Sequence, residues 1–150
     1  MARIIAYQQA TPATDDLLLG TQKTTSGTNK TNPTKNFTVD SVVQAGLGYT
    51  VYTALLNQTG TDAPVATILK NNTGYTFTWS YTGPGEYTIT ASGNAFTANK
   101  TIVFLNCGNT GFNEDMASWE RLSDTEILIG QPPLGDGRFN NGSFEIRIYS

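Results

Sequence analysis

The chain has 150 residues, a formal net charge of −3, one cysteine and no histidine. This length suits one compact domain with an appended arm. A single cysteine excludes an internal disulfide, and the lack of histidine removes the usual general base and most transition-metal sites. Threonine occurs 24 times, glycine 15 times and asparagine 13 times, which predicts pleated strands joined by turns.

Residues 1–47 are predicted to form an arm rather than part of a core. Within the arm, Leu17–Leu19 is a short apolar run, whereas residues 22–35 hold no apolar side chain except Pro33. Nothing in that polar stretch offsets the entropy of ordering it, so it is predicted to be a mobile loop. We expect the arm to dock on a neighbour, because it buries too little to be stable by itself.

A strand followed by a short helix is predicted at the end of the arm. Asn36–Val39 has the composition of a strand, and Asp40–Ala45 that of one or two helical turns. Either Thr38 or Asp40 is expected to cap this helix, and Gly46 is expected to end it.

Residues 48–150 show the period of two that is typical of β-strands. In the clearest case, Tyr75–Thr82, aromatic side chains alternate with hydroxyls, and a glycine–proline–glycine turn leads into Glu86–Ala91. A hairpin with a three-residue loop would set Thr82 opposite Glu86. The same register places large side chains together on one buried face, in the pairs Tyr81–Tyr87, Trp79–Ile89 and Phe77–Ala91.

Apolar alternation and intervening turn residues predict six further strands, at Val51–Leu56, Val65–Lys70, Thr101–Cys107, Ser118–Leu122, Thr125–Ile129 and Ser143–Tyr149. Eight short strands within about a hundred residues favour an antiparallel β-sandwich, jelly-roll-like in organisation. The predicted fold class is therefore all-β, with an extended N-terminal arm that carries a short helix.

The strand Thr101–Cys107 departs from the half-polar pattern of the others. Val103, Leu105 and Cys107 are predicted on one face, and Ile102 and Phe104 on the other. Either the strand is central in its sheet and covered by loops, or its outer face meets another subunit. Cys107 itself is interpreted as a small buried hydrophobe.

Catalytic chemistry has weak support in the sequence. The acidic pairs Asp15-Asp16 and Glu114-Asp115 lie in polar, loop-like settings, and Asp136 lies between glycines without further ligands at calcium-loop spacing. We interpret all of them as turn residues. No enzyme activity, no cofactor and no metal site are expected, and a small polysaccharide hydrolase is the third-ranked alternative.

Exposed aromatic rings could instead bind sugars by stacking. The alternation assigns Trp79, Tyr81 and Tyr87 to the core. Phe112 and Trp119 belong to or follow an irregular stretch and are the candidate ligand contacts. A carbohydrate-binding module for host adhesion is therefore the second-ranked alternative.

The arm resembles the amino terminus of many tailed-bacteriophage virion proteins. The resemblance covers residues 15–45, where two acidic residues precede an apolar run and Gly20-Thr21, and its most specific part is Lys35–Val39. In head fibres, tail fibres and related surface proteins of this class, such a segment attaches to the particle and the rest faces outward. Long fibres carry a shaft of repeats or a coiled coil, which this sequence lacks, so a head fibre, decoration or tail-associated component is expected.

The resemblance implies a non-enzymatic structural protein with other virion proteins, of the capsid or tail, as its partners. It also implies a homotrimer, and a host-surface glycan is a further candidate partner. We expect no nucleic-acid and no membrane partner, since basic residues are not clustered, no apolar run approaches ~20 residues and no signal peptide is recognisable. Synthesis in the host cytoplasm and a final location in the virion follow. The predicted assembly residues are Leu17, Leu18, Leu19, Lys35, Asn36, Phe37, Val39, Val42 and Val43.

Overall fold

A computed structural model describes residues 11–22, 34–108, 117–130 and 135–150. Contacts divide the chain into two compact units, Met1–Leu47 and Gly48–Ser150. In the first unit, strand β1 (Leu17–Thr21) pairs antiparallel with β2 (Thr34–Thr38), and helix α1 (Val39–Leu47) follows directly. β2 begins at Thr34, so Thr34 and Lys35, the last two residues of the predicted mobile loop, belong to a strand. Residues 23–33 of that loop, and residues 1–10, lie outside the described residues.

Thr38 is the N-cap of α1, one of the two residues predicted for that role. The Ser41 backbone N–H donates to Thr38 Oγ1 at 3.1 Å, and Ser41 Oγ donates to the Thr38 carbonyl at 2.8 Å. The first of these bonds satisfies one of the N–H groups that a helix start leaves without intrahelical partners. The predicted end at Gly46 is wrong: the helix continues to Leu47, because the left-handed residue that ends it is Gly48, with φ +69°.

The second unit contains two four-stranded antiparallel sheets that pack against each other, which confirms the predicted all-β sandwich. One sheet has the order β4-β3-β10-β7 and comprises Val65–Asn71, Tyr49–Asn57, Gly142–Tyr149 and Thr101–Asn106. The other has the order β5-β6-β9-β8 and comprises Phe77–Gly83, Glu86–Ala91, Glu126–Gly130 and Ser118–Arg121. Every predicted strand is present, with ends that differ by one or two residues.

The β5–β6 hairpin has the three predicted cross-strand pairs, Phe77–Ala91, Trp79–Ile89 and Tyr81–Tyr87. The predicted pairing of Thr82 with Glu86 is wrong, since Gly83 pairs with Glu86 and the register shifts between Tyr81 and Gly83. The turn is therefore two residues long. Pro84 provides its first central position and Gly85, with φ +71°, the left-handed second.

The core lies between the two sheets and is built mainly from inward-facing alternate residues. Trp79 of one sheet contacts Phe144 of the other edge-to-face, with ring centroids 5.0 Å apart, and Tyr52 contacts Phe77 at 4.6 Å. Each fully buried large apolar side chain contributes about 1.5–3 kcal/mol relative to exposure. Cys107 is buried as predicted. The fully buried large side chains are Tyr52, Leu56, Tyr87, Ile89, Phe96, Ile127, Ile129, Phe139, Phe144 and Ile146.

Among the residues that the structure describes, Gln58, which directly follows β3, is a buried polar side chain. Its Nε2 donates to the Tyr87 hydroxyl at 2.6 Å and to the Asp62 carbonyl at 3.0 Å, and its Oε1 accepts from the Phe139 N–H at 3.3 Å. Gln58 thus joins two connecting segments to the core, and its polar atoms have partners despite burial.

Candidate functional site

The outer face of the β4-β3-β10-β7 sheet, called the apolar face below, carries large apolar side chains in contact with solvent. Leu55 of β3 is 48% exposed, Leu69 of β4 61%, and Ile102 and Phe104 of β7 are 42% and 48% exposed. The predicted alternation of Thr101–Cys107 is confirmed, because Val103 is buried between these two exposed residues. However, β7 is an edge strand, so the alternative of a central, loop-covered strand is wrong.

An ion pair lies on this face on β10, one of the two central strands of the sheet. Arg147 Nε donates to Glu145 Oε1 at 2.6 Å, and Thr53 Oγ1 donates to Glu145 Oε2 at 3.2 Å. The Arg147 guanidinium lies 4.8 Å from the Phe104 ring centroid and 5.0 Å from that of Tyr49. These distances are typical of cation–π contacts. The hydrogen bond with Glu145 raises the pKa of Arg147, so this side chain is charged at every ordinary pH.

Several of these side chains line a depression of about 360 Å³. Leu55 and Leu69 form part of one wall and Phe104 part of the other, while Ser143 and Glu145 contribute polar groups between them. Both oxygens of Glu145 already accept hydrogen bonds. The depression therefore combines apolar walls with a carboxylate whose two oxygens each have a hydrogen-bond partner within the chain.

The outer face of the β5-β6-β9-β8 sheet, called the polar face, has the opposite chemistry. The Thr82 and Thr88 hydroxyls are 2.9 Å apart and form a hydrogen bond. Leu128 is the apolar exception, and it is only partly exposed. Other outward side chains of the polar face, which alternate with core residues, are Thr78, Ser80, Glu86, Thr90, Glu120 and Glu126.

The arm also exposes apolar side chains on β1 and on α1, and these side chains are together called the arm surface. The β1–β2 register sets Leu18 opposite Phe37, and Leu19 opposite Asn36. Phe37 and Val39 are partly buried, whereas Lys35 and Asn36 are exposed. The exposed apolar side chains of the arm surface, 40–77% accessible, are Leu17, Leu18, Leu19, Val42, Val43 and Leu47.

The carboxylates considered for chemistry lie in turns where the structure describes them. Asp16 Oδ2 accepts from the Ala13 N–H at 2.8 Å, and Asp136 Oδ1 accepts from the Gly85 N–H at 3.1 Å. The pair Glu114-Asp115 lies outside the described residues. Within the described ranges, no three potential metal ligands come together, and no helix is long and apolar enough to cross a membrane.

Of the two candidate ligand contacts, Phe112 lies outside the described residues. Trp119 lies on the edge strand β8 opposite Ile129 and is 37% exposed. It is on a different sheet from the depression. Sequence reasoning did not identify Tyr49, Glu145 or Arg147 as members of one surface, although alternation within residues 143–149 places Glu145 and Arg147 on the same side of β10.

The arm surface and the apolar face thus each expose apolar side chains that a folded chain ordinarily covers. Comparison with protein-family models, with curated proteins and with solved structures finds no match to this chain.

Proposed function

We propose that this chain is a non-enzymatic structural protein of a tailed-bacteriophage virion, attached to the particle by its arm and displaying the β-sandwich on the particle surface. The observation that carries the proposal is the arm surface, with six large apolar side chains 40–77% exposed on a hairpin and one short helix. Several large apolar side chains exposed within one short segment are typical of a segment that binds another protein. The resemblance over residues 15–45 indicates the partner class, a capsid or tail protein, and the role of head fibre, decoration or tail-associated component.

The state of the charged groups in the depression agrees with a structural role. A catalytic carboxylate needs an oxygen directed at its substrate. In Glu145 one oxygen accepts a bond from Arg147 and the other a bond from Thr53, so both are oriented by the chain's own side chains. The homotrimer implied by the resemblance stays a prediction.

Particle incorporation tests the proposal. In a phage whose own copy of the gene is inactivated, the intact chain or the variant Leu17→Ser/Leu19→Ser/Val43→Ser is supplied from a plasmid, and purified particles are analysed by immunoblot. We expect the intact chain in the particles. The variant should be reduced there at least about tenfold, because each lost apolar contact is worth more than the roughly 1.4 kcal/mol that corresponds to tenfold binding.

The matched control is Thr78→Ala/Thr88→Ala on the polar face, which should be incorporated like the intact chain. Circular dichroism of the purified variants establishes that both are folded. Absence of the intact chain from the particles would contradict the virion assignment. Equal incorporation of the arm variant would contradict attachment through the arm.

Carbohydrate binding is the second candidate, favoured by the partly exposed ring of Trp119 on an edge strand. Sugar rings stack on such aromatic faces. A glycan array probed with the full chain and with Trp119→Ala tests it. Binding that the substitution abolishes would support a host-adhesion role, whereas no binding by the intact chain would eliminate it.

A further inference from the structure

We infer that the apolar face binds a second copy of this chain, with the two sheets stacked face to face around a two-fold axis. This axis lies between the two stacked sheets, runs across their strands and passes over β10 at the level of Ile146. The inference concerns the β-sandwich alone, does not depend on the virion assignment and stands as an alternative to the homotrimer that the resemblance implies.

The hydrogen-bonding state of the face favours a protein surface over a sugar as the occupant. Glu145 is bonded on both oxygens, and Arg147 is bonded to it and stacked on two rings. Burying this group in a protein contact would not leave a carboxylate oxygen without a partner, which is the usual penalty for burying a charge. A sugar needs polar groups and ring faces directed at it, and here one face each of Tyr49 and Phe104 is occupied by Arg147.

The charges on β10 specify how the two copies are oriented. Glu145 and Arg147 are outward neighbours on a central strand, one on each side of Ile146. If the two-fold axis ran along the strand, each residue would face its own equivalent and like charges would meet. With the axis across the strand, Glu145 of one copy faces Arg147 of the other, twice. Such self-complementarity is what an isologous contact requires.

The neighbouring strands satisfy the same orientation. On β7, Phe104 lies beside Glu145 and Ile102 lies beside Arg147, so Phe104 of one copy faces Ile102 of the other. On β3, Leu55 lies beside Ser143 and Tyr49 lies beside Tyr149. The two-fold axis therefore brings Leu55 of one copy to face the Tyr49–Tyr149 aromatic pair of the other. Apolar side chains therefore meet apolar side chains on both sides of the charged centre. Sandwich sheets stack in this nearly aligned way, within about 30°.

The size of the face sets the expected strength. Four strands about 4.8 Å apart, with about six residues at about 3.3 Å each, give a footprint of roughly 400 Å². A stable complex of standard size takes about 800 Å² from each partner. The contact is therefore small, and we expect association in the micromolar range rather than an obligate dimer.

Two opposite charge reversals test the geometry in the full-length chain. In Glu145→Lys, each homodimer contact would bring together two positive charges, and in Arg147→Glu two negative charges. Like charges placed opposite one another cost several kcal/mol, so each variant alone should associate at least about 100-fold more weakly than the wild type. An equimolar mixture restores an opposite-charge pair at both positions and should regain dimers to within about tenfold.

Sedimentation equilibrium from low to high micromolar concentration provides the readout. The matched control is Glu126→Lys, the same charge change on the polar face, which should associate like the wild type. Phe104→Ser is a second, uncharged variant that should also weaken association. It keeps the inference testable if a charge reversal prevents folding, which circular dichroism at low concentration would reveal.

Dimers in the wild type, their loss in each single reversal and their return in the mixture would support the inference. A wild type that stays monomeric would overturn it, and so would a trimer that the reversals do not change. Reversal variants that associate like the wild type, or a mixture that stays monomeric, would also overturn the proposed stacking.

Discussion

The apolar face and the polar face are both made of alternate residues from four antiparallel strands, and both lie directly over the same core. The polar face carries hydroxyls and carboxylates, as a sheet surface open to water normally does. The apolar face carries Leu55, Ile102 and Phe104, each more than 40% exposed. Both sheets bury inward residues in that core, and the core does not include these exposed residues. The difference between the faces therefore indicates a requirement beyond folding.

The largest expected effect on the free energy of unfolding comes from comparing an inward with an outward position on β5. Trp79 is 8% exposed, whereas Thr78 next to it is on the polar face. Trp79→Ala should lower the free energy of unfolding by about 3–5 kcal/mol, the usual cost of truncating a large buried aromatic. Thr78→Ala should change it by less than about 0.5 kcal/mol. Urea unfolding measures both, and equal midpoints for the two variants would refute the assignment of Trp79 to the core.

The second-largest effect on the free energy of unfolding compares hydrogen bonds buried in the core with hydrogen bonds exposed to water. Gln58→Leu removes one hydrogen bond of the Tyr87 hydroxyl and the bond from the Phe139 N–H, both of which are buried. We expect a loss of about 1–3 kcal/mol, the cost of leaving a buried polar group unsatisfied. Chemical denaturation at one temperature is the measurement. A stability equal to that of the wild type would mean that water replaces the amide.

A third effect on stability depends on pH and comes from two tyrosines buried in the core. Burial raises the pKa of Tyr52 and Tyr87 above the ordinary 10.0. The folded state then holds these phenol protons at a pH where the unfolded chain releases them. Their contribution to stability is complete below about pH 10 and is lost as the pH rises above that value. Unfolding curves at increasing alkaline pH should show this decline, with a shallower slope in Tyr87→Phe; an unchanged slope would exclude Tyr87 as a contributor.

The smallest effect is expected on the polar face. Thr88→Val removes a hydrogen bond to the Thr82 hydroxyl but keeps the β-branched shape. Water can replace that bond, so the free energy of unfolding should change by less than about 0.5 kcal/mol. Thermal unfolding of the purified variant measures it. A loss above 1.5 kcal/mol, the upper end for an ordinary hydrogen bond, would show that the polar face supports the fold.

The structural features that depend only on residues adjacent in the sequence could be predicted from local sequence patterns. Strict alternation around one turn determines the inward set of the β5–β6 hairpin, so the pair Trp79–Ile89 followed from the sequence. The error at Thr82 came from the turn itself, because a glycine–proline–glycine segment is compatible with a two-residue or a three-residue loop. The cap at Thr38 was one of two predicted alternatives, and Gly48 instead of Gly46 takes the left-handed conformation.

By itself, the sequence determined the fold class, the strand positions of the sandwich and the two apolar sides of β7, since periodicity and turn chemistry are properties of adjacent residues. It did not predict strand β1 of the arm, where three consecutive leucines show no alternation. Only the tertiary structure decided that β7 is an edge strand and that Tyr49, Phe104 and Arg147 meet on one surface. These three residues come from three strands that are distant in the chain. Strand order depends on which sheet edges meet after the core has formed, and that choice is made by long-range packing rather than by local pattern.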